Sequence, residues 1–215
     1  MMDQHIVDEQ ITYYRKRAQE YDETTGQTED LQRAFARARE LLQQHAPVEQ
    51  VLELACGTGT WTRALPPLGR ELTAIDASPE MLSLARQKVG NAVVQFQPRQ
   101  QYDLVFFANW LSHVPPQRLD AFLGNVARAV RPGGSLALVD QYAPMQEDRE
   151  IIVRDAKEGA IYAKCSLLNG QTFLIVKVFY DLQIIETLLD ALDFTVTVHK
   201  LDDIFFFLQA RRKAS

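Results

Sequence analysis

The stretch VLELACGTGTW (residues 51–61) decides the fold of this chain. An apolar run leads into a turn that contains Gly57 and Gly59, and glycines in such a turn let the backbone approach a ligand closely. Further apolar, strand-like runs follow with helical patterns between them, at 71–76, 103–108 and 135–140. This alternation is typical of βαβ units, and it predicts an α/β fold with a mostly parallel sheet covered by helices on both faces.

The residues around the glycines narrow the choice of ligand. A dinucleotide fingerprint requires a third glycine where this chain has Thr62, and no Gly-Lys-Ser/Thr follows to make a Walker loop. Glu53, at the end of the strand, opposes a pyrophosphate and favours an ammonium group. Asp76 ends the next strand, where a carboxylate can accept both ribose hydroxyls of an adenosine. The pair predicts S-adenosylmethionine, with helix capping by both carboxylates as the alternative.

Four stretches of the chain resemble the successive motifs of the class I S-adenosylmethionine-dependent methyltransferases: VLELACGTGTWTRAL, LTAIDASPEMLSLAR, YDLVFFANWLSHVP and AVRPGGSLALVD. The resemblance covers about 48–141, and YYRKRAQEYDE (13–23) is similar to the N-terminal cap of small-molecule members. It implies a Rossmann-like, seven-stranded, mostly parallel sheet with an antiparallel C-terminal strand. It also implies methyl transfer to a small-molecule acceptor, on oxygen or nitrogen, by in-line displacement.

The resemblance assigns residues to the cofactor as well. It implies that the methionine moiety is lined by Glu53, Ala55, Gly57 and Gly59 and approached by Asn109, that Asp76 holds the ribose, and that Ala77 and Met81 pack on the adenine. Trp61 and Trp110 are expected to wall the pocket, or else to be buried without touching the ligand. The segment 91–101 lacks the acidic residue that the family uses to read adenine. Gln95 in a short AVVQF strand, or backbone alone, is expected to replace it.

The methyl acceptor is expected near the end of the fourth strand. His113 lies in the loop WLSHVPP, so it is the candidate general base or orienting group, with a structural hydrogen bond as the alternative. Tyr14, Arg17 and Tyr21 share one face if residues 8–22 form a helix. That face is expected to close over the cofactor, the tyrosines stacking and Arg17 meeting a carboxylate of the substrate; packing in the core is the alternative.

A hairpin is predicted at 160–179, because Asn169-Gly170 separates two β-rich runs. Alternation along FLIVKVF places Lys177 on one face with apolar neighbours, which suggests a contact with an anionic acceptor such as a carboxylate or phosphonate. Lys164 on the partner strand is expected to assist. The alternative is a lysine that extends along a solvated face.

Composition excludes several classes of protein. The 215 residues are 47% hydrophobic and 24% charged, with a net charge of −5 and no Lys/Arg block, so we expect no nucleic-acid partner and no membrane surface as partner. Cys56 and Cys165 belong to no Cys/His cluster, so no metal site is expected. Because no apolar run approaches about 18 residues and the N-terminus lacks a signal-peptide core, we expect a cytoplasmic protein.

The chain is therefore interpreted as one methyltransferase domain over 1–215. It would comprise an N-terminal helical cap (1–46), a cofactor-binding core (47–141) and a hairpin on the substrate side (160–179). Three alternatives stay open. A macromolecular acceptor is opposed by the lack of basic clusters, and an NAD-dependent oxidoreductase by Glu53 and Thr62. A methyltransferase-like protein without catalysis is allowed by the short segment 91–101. The oligomeric state is not determined.

Overall fold

The structure is a computed structural model that describes residues 2–25, 28–89, 94–95, 101–144, 152–154 and 161–214. Its helices are α1 (Met2–Arg17), α2 (Tyr21–Thr24), α3 (Glu29–Gln43), α4 (Pro79–Val89), α5 (Leu119–Ala129) and α6 (Leu182–Ala191). Its strands are β1 (Val48–Leu54), β2 (Gly69–Ile75), β3 (Val94–Gln95), β4 (Tyr102–Ala108), β5 (Val130–Gln141), β6 (Ile152–Arg154), β7 (Ile161–Ser166), β8 (Thr172–Val176), β9 (Phe194–Lys200) and β10 (Phe205–Arg212).

The main sheet has the order β3-β2-β1-β4-β5-β10-β9 over the described residues. Strands β1 to β5 run parallel, whereas β10 pairs antiparallel with both β5 and β9. The prediction of a mostly parallel α/β sheet with an antiparallel C-terminal strand is confirmed. Because both faces are covered, the central strands are almost continuously apolar: Phe107 packs with α5 and α6 on one face, and Phe106 packs with α3 on the other.

The segment after the glycine loop differs from the prediction. A helical pattern was expected between the first two strands, but only a single 3₁₀ turn forms there, at Thr62–Ala64. Pro66 and Pro67 follow at once, and β2 begins at Gly69. Prolines lack the N–H group that a continuing helix needs, so this short connection cannot form further helical turns.

The N-terminal cap is also divided. Instead of one helix over 8–22, α1 ends at Arg17 and the short α2 begins at Tyr21. Two groups of contacts hold this segment on the core: Arg15 pairs with Glu80 on α4, and Asp22 pairs with Lys88 and accepts a hydrogen bond of 2.6 Å from Thr58 in the glycine loop. The cap thus lies over the carboxyl edge of the sheet.

The predicted hairpin is present as β7 and β8, and Gly170 occupies the positive-φ position of its turn. Strand β6 adds a third member to this small sheet, which the sequence reading missed. Helix α1 lies along β8 and covers its edge. The side chains of Glu9 and Gln10 accept hydrogen bonds from the backbone N–H groups of Leu174 and Val176, at 2.8 and 3.1 Å.

No helix of the described residues is long and apolar enough to cross a membrane. Within the same part of the chain, no group of three or more His, Cys, Asp or Glu side chains is placed to hold a metal ion.

Candidate active site

A cavity of about 390 Å³ lies between the N-terminal cap and the carboxyl ends of β1, β2 and β4. This is the edge at which doubly wound sheets bind their ligands. Twelve of its lining residues come from the core: Leu54, Ala55, Gly57, Ile75, Asp76, Ala77, Ser78, Met81, Ala108, Asn109, Trp110 and Phe122. The other four come from the N-terminal cap: Gln10, Ile11, Tyr14 and Tyr21. Most residues predicted to bind the cofactor are therefore brought together around one cavity.

The backbone at this edge adopts unusual conformations. Ala55 and Asn109, which directly follow β1 and β4, have φ values of 51° and 52°, where residues with a Cβ are strained. Gly57 has φ 55°, and a Cβ at this position would meet open space in the cavity. Gly59 serves another purpose, since a Cβ there would lie 3.0 Å from Cα of Ala85. It permits close packing of the loop on α4 and does not line the cavity.

Asp76 connects the glycine loop to the start of α4. Its Oδ2 accepts a hydrogen bond of 2.9 Å from the N–H of Gly57, and its Oδ1 accepts one of 2.8 Å from the N–H of Ser78. Ser78 in turn caps α4, because its hydroxyl oxygen accepts a hydrogen bond from the N–H of Met81. Burial raises the pKa of Asp76, and the backbone hydrogen bonds oppose this rise. Each carboxylate oxygen keeps a lone pair for a ligand in the cavity.

Glu53 does not line the cavity, which corrects the prediction that it contacts the ligand. Its side chain is 2% exposed and lies behind the glycine loop, and its Oε2 has no hydrogen-bond partner among the described residues. Burial raises the pKa of Glu53 to about 8, the charge of Asp76 adds to this, and the adjacent Thr62 hydroxyl opposes it. The alternation of side chains along β1 turns Glu53 toward the interior of the protein. Because its pKa is raised there, the carboxyl group is mainly protonated at neutral pH.

The two tryptophans are placed differently. Trp61 is absent from the cavity wall: its ring packs on Phe35 and Phe106, each with centroids 5.2 Å away, in the core beneath α3. Trp61 is therefore buried without lining the cavity, which is the alternative to its predicted place in the pocket wall. Trp110 does line the cavity, beside Asn109.

His113 does not line the cavity either, and both of its ring nitrogens are engaged. Nδ1 lies 2.7 Å from the carbonyl oxygen of Val176, and Nε2 lies 3.0 Å from the hydroxyl of Tyr14. Burial, together with the charges of Lys177 and Arg17, lowers the pKa of His113 to about 3, against the opposing effect of the hydrogen bond to the Val176 carbonyl. The imidazole is therefore neutral at physiological pH and forms structural hydrogen bonds behind the cavity, which matches the alternative to its assignment as a general base.

Arg17 lies among aromatic rings. Its guanidinium is 4.9 Å from the centroid of Tyr21 and 5.6 Å from that of Tyr13, and it donates hydrogen bonds to Thr24 and Thr25. Tyr14 and Tyr21 are neighbours, with centroids 6.4 Å apart. The chain reversal after α1 brings them together, instead of the single helix face that we expected.

Lys177 lies just beyond β8, which ends at Val176, so it is not part of the expected strand face. Its Nζ is 3.4 Å from Oγ of Ser112, and its charge lowers the pKa of the buried Asp140, which burial raises. Lys164 is exposed and pairs with Leu174, so strand alternation turns it to the other face of the hairpin. The two lysines do not form the expected pair.

Several lining residues were missed by sequence reasoning. Leu54, Ile75 and Ala108 end β1, β2 and β4, so the carboxyl-edge rule applied to every strand would have found them. Gln10, Ile11 and Phe122 carry no local signal, because their place depends on how α1 and α5 dock. Gln95 belongs to the short β3, paired with Thr73, and its expected contact with adenine concerns a side chain outside the described part of the structure.

The comparisons with known proteins agree on one family. A model described as a methyltransferase domain matches residues 51–134. An uncharacterized methyltransferase of Synechocystis is 34% identical over 106 residues, 46% of this chain and 50% of that protein. A malonyl-[acyl-carrier protein] O-methyltransferase of Serratia marcescens is 34% identical over 98 residues, 41% of this chain and 36% of that protein. The chain thus spans half or less of the length of these two relatives.

A solved structure extends the similarity along the whole chain. The structure described as a DhpI-SAH complex superposes with a TM-score of 0.78 and is 36% identical, covering 97% of each chain.

Proposed function

The chain belongs to the class I S-adenosylmethionine-dependent methyltransferases, and from this premise we propose that it methylates an anionic oxygen of a small-molecule acceptor. The observation that carries the proposal is the position of His113 behind the cavity, where its ring nitrogens contact Val176 and Tyr14 and not the space for an acceptor. An acceptor that arrives already ionised needs no base.

The cavity residues suit the methyl donor. Gly57 leaves open space where a Cβ would stand, and both oxygens of Asp76 keep lone pairs for ribose hydroxyls. Met81 and Ala77 offer apolar surface for a base ring, and Asn109, which follows β4 and lines the cavity, would approach the methionine moiety. When bound, S-adenosylmethionine would supply a methyl group on a sulfonium, from which the neutral thioether departs without protonation. The protein then has to align the acceptor and exclude water.

The acidity of the acceptor decides how much proton chemistry the protein must provide. An alcohol or amine that is protonated at neutral pH needs a base near the reacting atom. A carboxylate or phosphonate oxygen is already deprotonated and has its nucleophilic lone pairs available. With His113 neutral and fully hydrogen-bonded, positioning alone can support transfer to an oxyanion.

The local charges favour the same class of acceptor. The charge of Lys177 lowers the pKa of His113, and its Nζ lies 3.4 Å from Oγ of Ser112, in the loop that follows β4. A cation beside this loop can attract an anionic acceptor. The malonyl-[acyl-carrier protein] enzyme is an O-methyltransferase by name, which supports oxygen as the methylated atom.

The proposal is tested with matched acceptors of one carbon skeleton: an alkyl carboxylate, an alkylphosphonate, a neutral alcohol and a primary amine. Each is incubated with protein and S-adenosylmethionine, and mass spectrometry detects the methylated product. We expect methyl esters of the anions alone. Methylation of only the alcohol or amine would refute an anionic acceptor. Binding of S-adenosylhomocysteine without turnover of any acceptor would support a protein that has lost catalysis.

A further inference from the structure

A closed set of hydrogen bonds joins α1, the loop after β4 and the end of β8. Gln10 donates from Nε2 to the carbonyl of His113 at 3.2 Å and accepts at Oε1 from the N–H of Val176 at 3.1 Å. The carbonyl of Val176 faces Nδ1 of His113 at 2.7 Å. Gln10 is 1% exposed and His113 is 6% exposed, so water does not compete for these groups. One contact at the backbone carbonyl of His113 and one at its ring Nδ1 therefore hold the imidazole in a single orientation.

These contacts also determine the tautomer of His113. A carbonyl oxygen only accepts hydrogen bonds, so the ring proton must be on Nδ1. In the neutral ring Nε2 is then an acceptor, and its partner at 3.0 Å is the hydroxyl of Tyr14. Tyr14 must donate its proton to His113. Loss of that proton is opposed as well, because burial raises the pKa of Tyr14.

Tyr14 lines the cavity, whereas His113 stands behind it. A hydroxyl whose proton is already engaged can offer only lone pairs to a third group. We propose that His113 is a positioning residue, which turns the Tyr14 hydroxyl into an obligate hydrogen-bond acceptor for the ammonium group at the methionine end of the cofactor. The assignment concerns the methyl donor and does not depend on the class of acceptor.

The location supports this assignment. His113 follows Asn109 and Trp110 in the loop that leaves β4, and both of those residues line the cavity. The buried Glu53 beneath the glycine loop is mainly protonated, so it contributes little negative charge toward an ammonium group. The Tyr14 oxygen therefore supplies an acceptor that Glu53, behind the loop, does not provide.

A double-mutant cycle tests the coupling between the two residues. His113→Asn keeps an amide N–H near the Val176 carbonyl and removes the acceptor for Tyr14, and Tyr14→Phe removes the hydroxyl itself. Calorimetric affinity for S-adenosylhomocysteine, which retains the ammonium group, is measured for wild type, both single variants and the double variant. We expect each single variant to bind roughly five- to tenfold more weakly, with no further loss in the double variant. If His113→Asn weakened the binding of S-adenosylhomocysteine by the same factor in wild type and in Tyr14→Phe, the proposal would be overturned.

A second measurement needs no variant and covers the case in which His113→Asn fails to fold. Long-range ¹⁵N NMR of the histidine rings reports which nitrogen carries the proton. We expect His113 to be protonated on Nδ1 at neutral pH, with and without S-adenosylhomocysteine. An Nε2-protonated ring would make Tyr14 a hydrogen-bond acceptor from His113 and would refute the assignment.

Discussion

Oδ2 of Asp76 accepts a hydrogen bond of 2.9 Å from the backbone N–H of Gly57, so the carboxylate at the end of β2 holds the loop at the end of β1. The other oxygen holds the first residue before α4. One side chain thus shapes the cavity and, in the proposed function, binds the ribose. Structural and ligand-binding roles coincide at this residue.

We expect Asp76→Ala to lose about 2 kcal/mol of stability, because two charge-assisted hydrogen bonds to backbone N–H groups disappear. Affinity for S-adenosylhomocysteine should fall at least about tenfold. Asp103 offers a matched control, since its Oδ2 accepts from the N–H groups of Gln50 and Glu49 at the opposite end of β1. Asp103→Ala should lower stability in urea titrations and leave the calorimetric affinity unchanged. A similar affinity loss in both variants would mean that Asp76 acts only through folding.

The raised pKa of Glu53 predicts a dependence of stability on pH. The folded protein holds the Glu53 proton up to a pKa of about 8, whereas the unfolded chain releases it near the ordinary glutamate pKa of 4.5. Between these values the folded state binds more protons, so the free energy of unfolding contributed by this group falls as pH rises. The destabilisation caused by Glu53 is absent below its pKa in the unfolded chain and reaches its full size above its pKa in the folded protein.

Replacement by a neutral isostere should remove this dependence. We expect Glu53→Gln to be more stable than wild type by about 2 kcal/mol or more at pH 8 and nearly equal to it at pH 4.5. Urea denaturation of the ligand-free protein at several pH values measures both curves. Parallel curves for the two proteins would show that Glu53 does not hold a proton in the folded state.

Lys177 tests the binding of the acceptor, and Lys164 provides the matched control. Lys177→Met should reduce kcat/KM for an anionic acceptor roughly tenfold or more, because a cation beside the acceptor is lost. Lys164→Met should have no effect, since this side chain is exposed and turned to the other face of the hairpin. Neither change should alter the affinity for S-adenosylhomocysteine. Equal effects on turnover would place the acceptor elsewhere.

The two tryptophans can be separated by fluorescence, because the chain contains only these two. In Trp61→Phe the remaining Trp110 lines the cavity, so its emission should change when S-adenosylhomocysteine binds. In Trp110→Phe the remaining Trp61 is buried against Phe35 and Phe106 and should not respond. Trp61→Phe should also cost about 1–2 kcal/mol of stability without changing affinity. A response from Trp61 would contradict its placement.

Much of the cofactor side could be predicted from local patterns. A strand, a glycine turn and a terminal carboxylate are close in sequence, and parallel strands bring their carboxyl ends to one edge. Asp76, Gly57, Ala77, Met81 and Asn109 reached the cavity wall for this reason. The capping of α4 by Ser78 and the turn at Gly170 also depend only on residues that are close in sequence.

The acceptor side could not be predicted in the same way. His113 was the candidate general base or orienting group, but α1 and β8 enclose it and supply a partner for each ring nitrogen. Those partners are 99 and 63 residues away in the chain. Trp61 was expected in the pocket, but a proline-limited turn directed it to the core beneath α3.

By itself the sequence determined the fold, the edge of the sheet that carries the site and the carboxylate at the end of β2, because these follow from residue spacing and strand direction. Only the tertiary structure decided which side chains face the cavity and which are engaged behind it. Burial and hydrogen-bond partners come from elements distant in sequence, and they determine whether a histidine is a base or holds a tyrosine in place.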